Sequence, residues 1–482
     1  MITSEVYRKS LDQSVSLSYS TKLLIVFIFC LFFIWLTFPA NFTDYDRIIL
    51  TISYLPTILL LLFKLNDNRL KGLSGLDPIN ISIYSFFVFH IVFNNVVFTN
   101  EYLIYQREWN VENNDLMKSF ILKYNTILFL AVIFFFVGAA IRIDNLRRYV
   151  SVFISKVTLT PRLLMLLGVF FVAIGILGNI LLIGSVGAYI SKLSTFYAHS
   201  DVYNESVREV GSGIVFKKIL QSFFIPGILL ILWSYKHKSN FLFFVRLLCL
   251  VIFTMFFNGT SGQRSQILNP LIFVGISYFL YVKKINPFKI GVLGFVFFIL
   301  ALAIGYVRNQ VGLEKDVDLS LLFGNLGLIS SIFASQYLTN FSGALTLLDV
   351  IHVDGLFSVN TIWSSFTGLL GGPTPTTTEA YVWQYLTGDP FGSNPRYGLF
   401  IELYANYGYL GLVLMTLPGL CTKALAKIYR AFITRDSVTV KIIVPFLILM
   451  AVLMVNGNAS YFGRQLAYMS WPFYLLFFFQ KS

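Results

Sequence analysis

The sequence predicts an all-α polytopic membrane protein of about twelve transmembrane helices with one large, late outer loop. Three observations predict it. Of 482 residues, 56% are hydrophobic and 12% charged, whereas a soluble domain carries about 25% charged residues. Apolar runs approaching the length needed to cross a hydrocarbon core of about 30 Å recur along the whole chain. The 36 Lys and Arg residues gather in short clusters between those runs, as the positive-inside rule distributes them. A soluble enzyme, a disulfide scaffold and a disordered chain are thereby excluded. A closed barrel is excluded because the runs do not alternate. The net charge of +13 reads as topology, so no nucleic-acid partner is expected. Cys30, Cys249 and Cys421 lie in or at the ends of apolar runs, which suits neither a disulfide framework nor a zinc site.

Residues 1–22 form a polar tail placed in the cytoplasm, too long for the n-region of a signal peptide. Residues 23–306 hold nine spans: Leu23–Phe38, Ile48–Phe63, Ile79–Phe98, Phe120–Ile141, Leu163–Ile183, Ile214–Tyr235, Phe241–Phe257, Ile267–Val282 and Phe288–Tyr306. Outer loops of this region cover 99–119 and 184–213. Residues 307–398 form the large outer loop with interfacial helices, and its apolar but polar-dotted stretch Leu319–Leu338 suits a helix in or dipping into the outer interface. Residues 399–482 hold three further spans, Leu399–Leu420, Val438–Val455 and Leu466–Phe479. Each inner loop carries a basic cluster: Lys64/Arg69/Lys71, Arg142/Arg147/Arg148, Lys236/Lys238, Lys283/Lys284 and Lys423/Lys427/Arg430/Arg435. Both ends are therefore expected in the cytoplasm.

Four arginines stand on the outer side, where topology disfavours them. Arg264 follows the turn Asn258–Gln263, Arg464 follows Asn456–Gly463, Arg308 ends a span, and Arg396 opens another. Gly-rich turns expose backbone N–H groups, helix N-termini add partial positive charge, and the guanidinium fork matches phosphate oxygens. Converging at one depth, the four would hold a lipid pyrophosphate. In the stretch that follows, Asn394 and Pro395 suit an N-cap and first helical position. A helix from there places Glu402 about 9 Å beyond Arg396, an ionisable carboxyl just inside the outer face. Gly408 and Gly411 would allow close helix approach. Asp44/Asp46 and Asp316/Asp318 read as solvated loop acids, and no metal site is expected. His352, between Asp349 and Asp354, is an outer-loop base candidate, and His90 belongs inside a span with a hydrogen-bond partner. Tyr397, Tyr404, Asn406 and Trp383 are candidate sugar contacts.

The many-span plan, the late outer loop, the Gly-Gln-Arg-Ser turn at 262–265 and the Gly398–Gly411 stretch with Glu402 and Asn406-Tyr407-Gly408-Tyr409-Leu410-Gly411 resemble the Wzy-type polymerases of O-antigen and capsule repeat units. Arg264 and Gly275 match that family's arginine-to-glycine spacing, whereas Arg396 and Gly408 stand one residue too far apart. The resemblance implies a GT-C-like polymerase/ligase architecture in a bacterial inner membrane, with 307–398 periplasmic. It implies transfer of a growing glycan from undecaprenyl pyrophosphate to a lipid-linked repeat unit, with a flippase and a chain-length regulator as pathway partners. Arg264, Arg308, Arg396 and Arg464 would neutralise the departing pyrophosphate, and Glu402 would take the acceptor hydroxyl's proton. The pyrophosphate is itself the leaving group, so no cofactor is called for. An O-antigen ligase shares this plan but uses an outer-loop histidine, which His352 alone could supply. A lipid-linked oligosaccharide flippase, the non-enzymatic alternative, would line a central cavity with charge.

Overall fold

The computed structural model describes residues 43–66, 76–92, 114–143, 160–194, 214–235, 239–258, 273, 275–278, 280, 339–357, 378, 397–433, 438–457 and 470–472. All regular structure among them is helical. In chain order the helices are α1 (Asp44–Asn66), α2 (Pro78–Phe87) running into a π-helical turn at Val88–Val92, α3 (Asn114–Ala140), α4 (Pro161–Ile183) and α5 (Val186–Ser194). There follow α6 (Ile214–Ser222), α7 (Phe224–Trp233), α8 (Asn240–Asn258), α9 (Thr339–Asp354) and α10 (Leu399–Gly411). A 3₁₀ turn at Leu412–Met415 then leads into α11 (Thr416–Ile433), and α12 is Val438–Asn456.

Among the described residues, five stretches are long and apolar enough to cross a membrane: Asp44–Leu62, Lys118–Ala140, Pro161–Ile183, Phe216–Trp233 and Leu399–Ile433. Pro78–Ile91, Phe241–Thr254 and Lys441–Asn456 are shorter apolar helices. These eight coincide with predicted spans. Leu23–Phe38 and Phe288–Tyr306 lie outside the described residues, as does all but a few positions of Ile267–Val282 and Leu466–Phe479.

The helix starts follow from local chemistry. Before α1, Thr43 donates to Asp46 Oδ2 through its backbone N and its Oγ1, at 2.8 and 2.6 Å, while Asp46 N donates back to Thr43 Oγ1. This reciprocal box satisfies orphan donors of the first turn. Asp77 accepts from Ile79 N ahead of Pro78, and Thr160 accepts from Leu163 N ahead of Pro161; in each case proline occupies the first helical position, where no N–H is needed.

Among the described residues, two large apolar clusters organise the fold. The first joins α1, α2, α3, α9, α10 and the end of α12 around Tyr54, Tyr124, Phe135, Leu348 and Phe400. The second joins α4, α7, α8, 273–280, α11 and α12 around Phe171, Leu230, Phe243, Phe273 and Val444. With little hydrophobic drive between helices in lipid, close approach of small residues must supply packing. That occurs where α3 meets α11: a Cβ on Gly138 would overlap the Thr416 carbonyl, and one on Gly419 the Phe135 carbonyl.

Two expectations are corrected and two are refined. Asp44 and Asp46 are not loop acids but begin α1, and Asp46 is 5% exposed and paired with Lys118 on α3 at 2.6 Å. Its carboxylate needed a counter-ion once α1 packed on α3. Within the predicted span Ile214–Tyr235 one turn residue, Phe223, separates α6 from α7, and the stretch Phe216–Trp233 is long and apolar enough to cross. The basic residues Lys423, Lys427 and Arg430 are not in a loop, because α11 continues to Ile433. This helix runs from the C-terminal end of α3 to the N-terminal end of α2, where Arg430 Nε donates to Asp77 Oδ2. Finally, the predicted span Leu399–Leu420 falls within the apolar stretch Leu399–Ile433, and a kink at Gly408 divides it.

Candidate functional site

Two glycines with positive φ frame the segment that carries Glu402. Gly398 precedes the helix at φ +83°, and Gly408 sits inside it at φ +62°, ψ −153°. This last conformation is essentially restricted to glycine. It turns the chain so that Gly411 lies against the Leu403 carbonyl, whereas eight residues of straight helix would separate them by about 12 Å. Gly411 thus permits close approach within its own segment, not between neighbouring helices as expected. The helix start also differs from expectation: it is Leu399, not the region of Asn394 and Pro395, because Gly398 is extended with positive φ. Glu402 is accordingly in the first turn, where the helix N-terminus favours negative charge.

Glu402 is 1% exposed. Thr378, from the predicted outer loop, donates its hydroxyl to Oε1 at 3.1 Å. Asn406, one turn on, donates its side-chain amide to the Glu402 backbone carbonyl at 2.8 Å. Tyr397 is fully buried in the first core, and Tyr404 packs at its edge with its ring T-shaped to Tyr409 at 5.1 Å. The structure therefore gathers Glu402, Tyr397, Tyr404 and Asn406 on one short segment, with Asn406 turned to its own helix. Arg264, Arg308, Arg396, Arg464 and Trp383 lie outside the described residues.

A second set of contacts fixes this segment from behind. His90, in the π-helical turn after α2, is 1% exposed. Its Nδ1 faces the Tyr124 hydroxyl at 3.0 Å and its Nε2 the Asn456 Oδ1 at 2.9 Å. Asn456 Oδ1 accepts, so Nε2 carries a proton, and Nδ1 shares a hydrogen bond with the Tyr124 hydroxyl. The same ring stands edge-on to Phe400 at 5.0 Å. One buried imidazole therefore ties α2, α3 and α12 to the start of α10.

Beside Tyr124 on α3, Lys123 lies over the Tyr404 ring, 5.3 Å from its centroid. The helix α9 packs its buried face, including Leu345 and Leu348, onto α3 and α10. His352 is exposed in the last turn of α9, its ring edge-on to Phe120 at 5.7 Å. Sequence reasoning missed Thr378, an ordinary loop threonine with no pattern around it. It also missed Lys123, although a lysine inside the predicted span Phe120–Ile141 was a visible signal.

Compared with protein families, with curated proteins and with solved structures, the chain finds no match in any of the three.

Proposed function

We propose that this protein is a Wzy-type polymerase, extending a glycan on undecaprenyl pyrophosphate at the periplasmic face of a bacterial inner membrane. The reading rests on the sequence resemblance, and the observation that carries it furthest is the setting of Glu402. A carboxyl held in a broken, otherwise apolar helix is expensive, and here a hydroxyl from the predicted outer loop orients it. In the reaction, the hydroxyl oxygen of the acceptor sugar attacks the anomeric carbon of the donor. The bond from that carbon to the pyrophosphate oxygen breaks, and Glu402 takes the hydroxyl proton. Polyprenyl pyrophosphate leaves with its charge neutralised by Arg264, Arg308, Arg396 and Arg464.

Purified protein supplied with lipid-linked repeat units tests the reading. Wild type should yield a ladder of longer lipid-linked chains, and Glu402→Gln should yield none while remaining folded. A ladder of normal length from Glu402→Gln would remove that residue from the chemistry. Transfer only to a lipid A core acceptor would instead make the protein a ligase, with exposed His352 the residue to pursue.

A further inference from the structure

Two lysines enter the apolar part of α3, and the fold treats them differently. Lys118 is ion-paired with Asp46 at 2.6 Å. Lys123 lies five residues on, about 7.5 Å along the axis and about 140° round the helix, on the side facing α10. Among the described residues no carboxylate pairs with it; its neighbour is the face of Tyr404, with Tyr409 packed edge-on against that ring. A lysine in a membrane-spanning helix is retained at a cost unless something meets its charge. An aromatic face meets part of it, and the ammonium's remaining donors suit an anion.

What surrounds Lys123 defines the rest of the ligand. Lys123 is itself half-buried, and on either side of the Gly408 break Tyr407, Tyr409 and Leu410 are 39%, 48% and 82% exposed. The site thus offers one cation at the edge of an apolar and aromatic face, within a segment apolar enough to cross a membrane. A free phosphate would use the cation alone. A lipid phosphate uses both.

We infer that Lys123, with Tyr404 and Tyr409, is a binding point for the phosphate of a polyprenyl-linked substrate, whose prenyl chain lies against Tyr407 and Leu410. The inference rests on the polymerase reading for the identity of the lipid, and adds a cation to that reaction's binding residues.

The test measures binding of undecaprenyl pyrophosphate and of phosphatidylglycerol to the purified full chain by native mass spectrometry. Wild type, Lys123→Met and Lys123→Arg are compared, each checked for a monodisperse elution profile. Lys123→Met should lose about tenfold or more in affinity for undecaprenyl pyrophosphate, as removal of a charge-assisted contact does. Lys123→Arg should keep most of it, and phosphatidylglycerol binding should be the same in all three. Unchanged affinity in Lys123→Met overturns the site. An equal loss for phosphatidylglycerol overturns it too, since the lysine would then hold bulk lipid headgroups. If wild type binds the polyprenyl lipid through Lys123 yet forms no polymer from lipid-linked repeat units, the polymerase reading fails while the site stands.

Discussion

At the scale of single residues, Glu402 carries the chemical argument and His90 the structural one. Replacing Glu402 by Gln keeps the hydrogen bond from Thr378 but removes the proton acceptor. Chain growth should fall by about 10²-fold or more, the usual contribution of a general base, with the folded yield unchanged on size-exclusion chromatography. Arg264 tests the leaving-group side: Arg264→Ala should impair use of the pyrophosphate donor more than Arg264→Lys, which keeps the charge and loses the fork. His90→Phe removes the hydrogen bonds to Tyr124 and Asn456, each loss costing about 1–3 kcal/mol when the partner stays buried. Thermal unfolding of the detergent-solubilised variant should therefore begin well below that of wild type, and an unchanged midpoint would deny the network its role. The sequence already displayed Glu402 as an isolated acid in an apolar run, and His90 as a histidine inside a span. Thr378 and Asn456 were invisible as their partners, because each pair is distant along the chain and is made only by the tertiary fold.

Elements show the same division between local and non-local causes. Asp77-Pro78 and Thr160-Pro161 announce their helix starts in sequence, and the structure places α2 and α4 directly after them. The break at Gly408 was not legible, since glycine in a membrane helix as often serves packing as conformation. Its φ and ψ now make a definite prediction. Gly408→Ala should cost about 1–3 kcal/mol and displace Tyr407 and Tyr409, lowering activity together with stability. Gly419→Leu acts differently: its side chain would drive into the Phe135 carbonyl and separate α11 from α3. Poor yield of folded protein is the expected result, and a well-behaved Gly419→Leu protein would contradict the packing described. The continuation of α11 through Lys423, Lys427 and Arg430 was also hidden. Hydropathy ends a span at the first basic cluster, whereas an amphipathic helix continues through it with its charges along one side.

For the whole molecule, apolar content and alternating charge predicted a helical, membrane-inserted chain, and helices long and apolar enough to span are what the fold contains. Orientation is a separate physical claim resting on the positive-inside rule. Single cysteines introduced at Lys427 on α11 and at Val353 on α9, in a background lacking the three native cysteines, should separate the two faces. A membrane-impermeant thiol reagent applied to intact cells after outer-membrane permeabilisation should label position 353 and spare position 427; the reverse pattern would invert the molecule and remove Glu402 from the periplasmic side.

The central claim is tested most directly by deleting the gene in its host and identifying the glycans left on their lipid carriers by mass spectrometry. The account predicts single repeat units transferred to the surface lipid, with the ladder of longer chains gone. Full-length polymer stranded on undecaprenyl pyrophosphate, or repeat units retained at the cytoplasmic face, would contradict it.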